Sequence, residues 1–241
     1  MKKILYHIFL LLCIAVFCIS AYKLYGYYKS YKEAKDTYEK IKKDNVKKTN
    51  GDRTIDFDKL RAKNPDIVGW VYAKGTGIDY PIVQGKDNEE YLHMDYNKKK
   101  SSSGTIFLDH GCDKSFISDN NIIYGHHMKT HSMFTDLLLY EDEQFAREHP
   151  IQFSTLEETG VYRVIAALQA DNNSALPFYK TTDFSDLGQF ERWIQTVESA
   201  SLYDMNIEAN AGDTYITLIT CRESSSVNER FIVVARESGE K

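Results

Sequence analysis

Cys221 closes a run of strong β formers, Thr217-Leu218-Ile219-Thr220, and the chain turns polar straight after it through Arg222-Glu223-Ser224-Ser225-Ser226. A thiol at a strand end, where a rigid scaffold gives way to a surface loop, is placed to act as a nucleophile. The competing reading is a buried structural cysteine, since Cys packs as a small hydrophobe. His126 likewise follows a β run, Ile122-Ile123-Tyr124, and Gly125 beside it permits close backbone approach. An imidazole there can hold a neighbouring thiol as thiolate and later protonate a departing amine. A surface or hydrogen-bonded core histidine is the alternative, a part that the adjacent His127 fits. Arg230 opens the last apolar run, Phe231-Ile232-Val233-Val234-Ala235. If the loop from Arg222 to Glu229 joins two antiparallel strands, Arg230 returns to the neighbourhood of Cys221, where a guanidinium can hold a substrate carbonyl or a developing oxyanion. Its alternative is a strand-end arginine paired to Glu223 or Glu229.

A rival constellation is His110, Cys112, His126, His127 and His131, all metal-capable and close in sequence. Their spacings match no zinc pattern, and His126 and His127 would point to opposite faces of a strand. The expectation is therefore no metal site.

The elements that must position these residues are mostly short β runs. Ile67 to Tyr72, Tyr80 to Gln84, Thr105 to Leu108, Asn121 to Tyr124, Tyr162 to Leu168, Tyr215 to Thr220 and Phe231 to Ala235 are separated by Gly- and Ser-containing turns. Such a series predicts a mainly β, closed or nearly closed barrel. Two helical inserts interrupt it: Met133 to Glu148, and Asp186 to Ala200 with Leu187, Phe190, Ile194 and Val197 on one face. Asp56 to Asn64 reads as a short helix stopped by Asn64-Pro65.

Upstream, Met1-Lys2-Lys3 precedes an apolar run from Ile4 to Ala21 that is close to the roughly 20 residues needed to span a bilayer. Ile19-Ser20-Ala21 satisfies only one of the two small-residue positions of a cleavage site, so an uncleaved anchor is favoured over a removed signal peptide. Leu12 is too bulky for a lipoprotein site at Cys13. Tyr31, Ala34, Tyr38 and Ile41 recur at helical spacing, and Lys47-Lys48-Thr49-Asn50-Gly51-Asp52 is a polar break. The expected organisation is a membrane anchor over 1–22, a helical stalk and linker over 23–55, and one catalytic domain over 56–241. Lys2 and Lys3 favour a cytoplasmic N-terminus, although Lys23, Lys29 and Lys32 follow on the other side.

The chain of 241 residues carries 30 Lys and Arg against 35 Asp and Glu, a formal net charge of −5, which argues against a nucleic-acid partner. Of four cysteines, Cys13 and Cys18 lie in the apolar segment, leaving Cys112 and Cys221 for the rest. That is too few for a disulfide framework. The favoured reading is one thiol kept for chemistry, with a Cys112–Cys221 bridge as the alternative.

On these motifs the chain resembles the sortases, and class B in particular. Thr217-Leu218-Ile219-Thr220-Cys221 is similar to their TLxTC signature. Tyr124-Gly125-His126-His127-Met128 resembles the class B segment in which the His after Gly is catalytic. Arg230 matches the family's Arg at the start of the last strand. Tyr80-Pro81-Ile82-Val83-Gln84-Gly85, Asp87-Asn88, Tyr91-Leu92 and the helix before the Cys strand are also similar to class B. Two departures stand out: Arg222 where class B often has an acid, and Asn64-Pro65-Asp66 in place of the lid motif of the class C pilin polymerases.

The resemblance implies an eight-stranded β-barrel with N-terminal helices and an inserted helix before the Cys strand. It implies a cysteine transpeptidase working outside the membrane, with Cys221 as nucleophile, Arg230 at the oxyanion and His126 as acid. Asn88, Leu92, Tyr124 and Thr220 match groove-lining positions. The implied substrate is a secreted surface protein or pilin bearing a C-terminal sorting signal. The implied acceptor is an amine, either a pilin Lys or the peptidoglycan cross-bridge, and no cofactor is required. A thiol peptidase using water and a non-catalytic membrane-anchored assembly factor are the other readings.

Overall fold

The computed structural model describes residues 2–49, 52–171, 180–221 and 229–239, with the side chains of Ser30, Thr49, Asp52 and Cys221 not included. Arg222, the serine-rich loop after it and Asn50-Gly51 lie outside the described residues.

One helix, α1 (Lys2–Asn45), runs from the apolar N-terminus into the stalk. It contains a stretch long and apolar enough to cross a membrane, standing clear of the rest of the molecule. Further along, Tyr38 and Ile41 are buried against the domain, so the helical spacing of the stalk reflects packing. The predicted polar break instead contributes to an antiparallel pair, β1 (Val46–Thr49) and β2 (Asp52–Ile55). Arg53 fastens this hairpin to the domain. Its guanidinium lies 3.8 Å over the Tyr72 ring and bonds Asp79, which also accepts from Trp70 Nε1 at 2.8 Å. Pairing and stacking compensate the burial of that charge.

The short helix α2 (Phe57–Lys63) begins where Asp56 accepts from the Lys59 amide at 3.0 Å, and buries Leu60. Eight strands then close into a barrel: β3 (Ile67–Ala73), β4 (Asp79–Val83), β5 (Phe107–Leu108), β6 (Asn120–Tyr124), β7 (Ile151–Ser154), β8 (Thr159–Asp171), β9 (Tyr215–Cys221) and β10 (Glu229–Glu237). Around the barrel the order is β10-β8-β7-β3-β4-β5-β6-β9. Of the pairs in this ring, β4–β5 and β6–β9 are parallel and the others antiparallel. The fold class expected from sequence is the one observed.

Phe231 to Ala235 are fully buried rather than alternating, because side chains fill the barrel inside and helices cover it outside. Part of that cover is α4 (Leu187–Ala200), capped by Asp186, whose carboxylate accepts from the Gln189 amide at 2.8 Å. Its buried face is Phe190, Trp193 and Val197, with Trp193 against Tyr215 at 5.1 Å between centroids. Leu187, expected on that face, is 59% exposed in the first turn.

The other insert divides into a 3-10 segment (Thr135–Glu141) and α3 (Glu143–Glu148). Asp142 caps the second piece, accepting from the Phe145 amide at 2.7 Å, which explains the break. Strand β7 was not expected from sequence; at four residues after Pro150, it is too short for a period-2 pattern to stand out.

These placements separate two apolar positions of α4 by energy. Phe190→Ala is expected to cost about 3–5 kcal/mol of unfolding free energy, and Leu187→Ala within about 0.5 kcal/mol. Denaturant unfolding followed by tryptophan fluorescence measures both, and equal losses would contradict the face assigned to α4.

Candidate active site

Strand β9 lies between β6 and β10, and its register decides what meets at its end. Arg230 is directly opposite Cys221 in the antiparallel β9–β10 ladder. On the other side, the parallel pairing sets Tyr124 beside Ile219, and the ladder continues with the Gly125 amide donating to the Ile219 carbonyl at 3.0 Å. Two residues further on each chain are His126 and Cys221. Neighbouring strands run about 4.8 Å apart, so the backbones carrying His126, Cys221 and Arg230 leave the barrel side by side.

His126 is half-buried, and three contacts fix it. Its Nε2 donates to the Leu92 carbonyl at 2.9 Å, and its own carbonyl accepts from the Phe134 amide at 3.0 Å. Gly104, in the left-handed region at φ +55°, passes so close that a Cβ there would stand 3.0 Å from His126 Cδ2. Gly125 has no room either: a Cβ would meet Ile106 Cδ1 at 2.5 Å and the Phe134 ring at 2.6 Å. The glycine before the histidine is therefore required by packing. Since a carbonyl only accepts, Nε2 carries a hydrogen, and Nδ1 is the nitrogen left to exchange one.

A cavity of about 220 Å³ opens beside these residues. Asn88, Leu92, Tyr124 and Thr220, the four groove positions expected from sequence, all line it together with Arg230. So do four residues the sequence reading did not single out: Phe107, Ile219, Glu89 and Lys180. Phe107 stacks on Tyr124 at 5.1 Å between centroids and 29° between planes. Thr220 is 2% exposed, and its hydroxyl has no partner among the described residues.

Asp109 was also missed. Its Oδ2 accepts from Asn88 Nδ2 at 2.8 Å and from the Tyr124 hydroxyl at 3.0 Å, and its Oδ1 accepts from the Gly111 amide at 2.8 Å. Asn88 Oδ1 accepts from the His110 amide at 2.9 Å, which orients its side-chain amide. One buried carboxylate thus holds two walls of the cavity. No local sequence signal marks it, because its partners are 15 and 21 residues away.

The rival metal constellation is not assembled: among the described residues, no three of His, Cys, Asp or Glu converge as ion ligands. Cys112 is a free, buried thiol between the Ile122 amide at 3.4 Å and the Asn120 carbonyl at 3.7 Å.

Residues 71–238 match the Sortase domain family. The chain belongs to the sortase family. A curated relative, sortase B of Listeria monocytogenes, is 39% identical over 173 residues, 71% of this chain and 69% of that protein. Among solved structures, Clostridium perfringens sortase B superposes with a TM-score of 0.70 at 34% identity, covering 75% of this chain and 98% of the other. A Staphylococcus aureus sortase B–substrate complex gives 0.74 at 27% identity, covering 87% and 98%. The protein is a class B sortase, and its family activity is cysteine transpeptidation.

For a sortase with four cysteines, the chemistry of the second domain thiol matters. Burial pushes the Cys112 thiol up to about 12, which removes nearly all thiolate near neutral pH. Iodoacetamide at pH 8 is therefore expected to leave Cys112 unmodified until the chain is unfolded, as read by peptide mass spectrometry. Labelling in the native protein would show that this thiol is not enclosed.

Proposed function

We propose that this sortase transfers the acyl part of a C-terminal sorting signal to an amine through a thioester on Cys221. The observation that supports it most is the register that brings Cys221, His126 and Arg230 together at one end of adjacent strands. In the first step the Cys221 thiolate attacks the carbonyl at the scissile bond, and the developing oxyanion is held by Arg230, which lines the same cavity. The tetrahedral adduct collapses, the C–N bond breaks, and His126 gives its Nδ1 proton to the departing amine. In the second step an acceptor amine attacks the thioester, His126 takes up the proton, and Cys221 leaves as thiolate.

Asn88, Leu92, Tyr124 and Thr220 hold the sorting signal. The buried hydroxyl of Thr220 and the amide of Asn88 offer hydrogen bonds to an extended peptide, and Phe107, Tyr124, Leu92 and Ile219 give it apolar wall. The S. aureus relative was captured with substrate, which supports a peptide ligand for this cavity. The donor is a secreted surface protein or pilin. The acceptor is a pilin lysine or a peptidoglycan cross-bridge amine. Helix α1 anchors the enzyme in the membrane with its N-terminus inside and the barrel outside, beside both substrates.

Intact mass spectrometry of the full chain in detergent, mixed with sorting-signal peptides and candidate amines, tests the reaction. A peptide adduct is expected on wild type and not on Cys221→Ala, and the right amine should discharge it. Steady discharge by water alone would identify a thiol peptidase, and an unaltered cellular phenotype in Cys221→Ala would identify an assembly factor. Arg230→Lys, which keeps the charge but loses the planar fork, is expected to lower kcat by about 10²-fold. Asp109→Ala removes the shared acceptor of Asn88 and Tyr124, and KM for peptide is expected to rise about tenfold. Unchanged peptide kinetics in Asp109→Ala would remove Asn88 and Tyr124 from the binding role.

A further inference from the structure

His126 sits beyond the end of β6, so the ladder alone does not hold its ring. Two segments support it. One carries Gly104, whose left-handed backbone is pressed between the carbonyls of Tyr91 and Leu92 and the His126 ring: a Cβ there would lie 2.7, 2.8 and 3.0 Å from them. The other is the chain that follows the histidine. His127 pairs with Met133 in an isolated bridge, and the Phe134 amide holds the His126 carbonyl. Met133 takes a left-handed φ of 58°, and its amide donates to the Tyr80 hydroxyl at 3.0 Å.

One side chain of α1 reaches both segments, the first directly and the second through Tyr80. The Tyr38 hydroxyl is 3.2 Å from the Gly104 carbonyl and 3.2 Å from Thr105 Oγ1. Thr105 Oγ1 donates its own hydrogen to the Met94 carbonyl at 2.8 Å, so the single Tyr38 hydrogen is shared between two equidistant acceptors, the Gly104 carbonyl and Thr105 Oγ1. The Tyr38 ring packs edge-on against Tyr80, centroids 5.3 Å apart at 86°. It is 6% exposed. Burial raises its ionisation well above the ordinary phenol range, so it remains a donor across the working pH.

We infer that Tyr38 is a positioning residue for His126, linking the N-terminal helix to both supports of the imidazole. The inference rests on the reading of His126 as the acid. It means that α1 is part of the catalytic scaffold as well as its tether: through Gly104 it sets the floor beneath the ring, and through Tyr80 and Met133 it sets the loop that grips the His126 carbonyl.

Tyr38→Phe deletes the hydroxyl and keeps the edge packing. In the full chain in detergent, nitrogen–proton correlation spectra of ¹⁵N-histidine protein read the His126 ring directly, assigned against His126→Gln. The expected result is a displaced His126 tautomer pattern and titration midpoint, with kcat lower by about three- to tenfold and KM within about twofold. Lys43→Ala, exposed on the same helix, should leave the His126 signals in place. Unmoved His126 signals in Tyr38→Phe overturn the inference, as do equal displacements in Lys43→Ala or a change confined to KM. Should Tyr38→Phe fail to fold, Tyr80→Phe breaks only the second link and must still displace His126; unmoved signals there overturn it as well. If His126→Gln keeps full turnover, the acid role falls, while the ring spectra still report whether Tyr38 positions the imidazole.

Discussion

The register of β9 between β6 and β10 is the constraint on which the rest depends. A strand displaced by one residue turns every side chain to the other face, so a slip would separate Cys221 from Arg230 and move both away from His126. Apolar burial opposes the slip, since Tyr215, Ile216, Leu218 and Phe231 to Ala235 are fully enclosed. Buried polar groups oppose it more selectively. Thr217 donates to Asn120 Oδ1 at 2.7 Å inside the barrel, and the Asn121 amide reaches the Tyr215 carbonyl at 3.3 Å. These bonds exist in one alignment only, and breaking a buried pair leaves both partners unsatisfied.

What the ladder gives Cys221 and Arg230 it does not give His126, which lies one step outside the pairing. Its support is a set of irregular segments whose backbone groups point at it: the Leu92 carbonyl, the Phe134 amide and the left-handed Gly104. The cavity walls follow the same logic, because Asp109 binds Asn88 and Tyr124 from different segments to one carboxylate. Strand ends therefore fix the backbones of Cys221 and Arg230, and buried polar contacts between loops fix His126 and the cavity walls.

This division explains which features could be read from the residues. Strand runs are local, so seven of the barrel strands, the helices that begin at Asp56 and Asp186, and the three residues at strand ends stand out in the chain. The face of α4 was legible only in part. Phe190 and Val197 lie on the buried face as expected, but Trp193 takes the place of Leu187, which is exposed in the first turn. Asp109 carries no pattern at all, because its partners are distant in sequence, and Glu89 and Lys180 reach the cavity only through the fold. The β1–β2 hairpin was read as a linker because its stability is tertiary, supplied by Arg53 on Tyr72 and Asp79.

The N-terminal helix changes meaning in this light. A flexible stalk would tether the barrel while leaving it free to turn, and would raise local concentration without orienting the groove. Here α1 is continuous from the apolar stretch to Asn45 and buries Tyr38 and Ile41 in the domain. At about 1.5 Å per residue, the 17 steps from Ala21 to Tyr38 span about 25 Å. With α1 crossing the bilayer as proposed, that distance sets the height of the domain contact above the surface. Tyr38 on the same helix contacts Gly104 and Tyr80, so on the proposed reading one rigid element sets both the separation from the membrane and the placement of His126. On the proposed reading, a substrate at the same membrane surface would meet a groove of set height with His126 already in place, which a loosely tethered barrel could not present together.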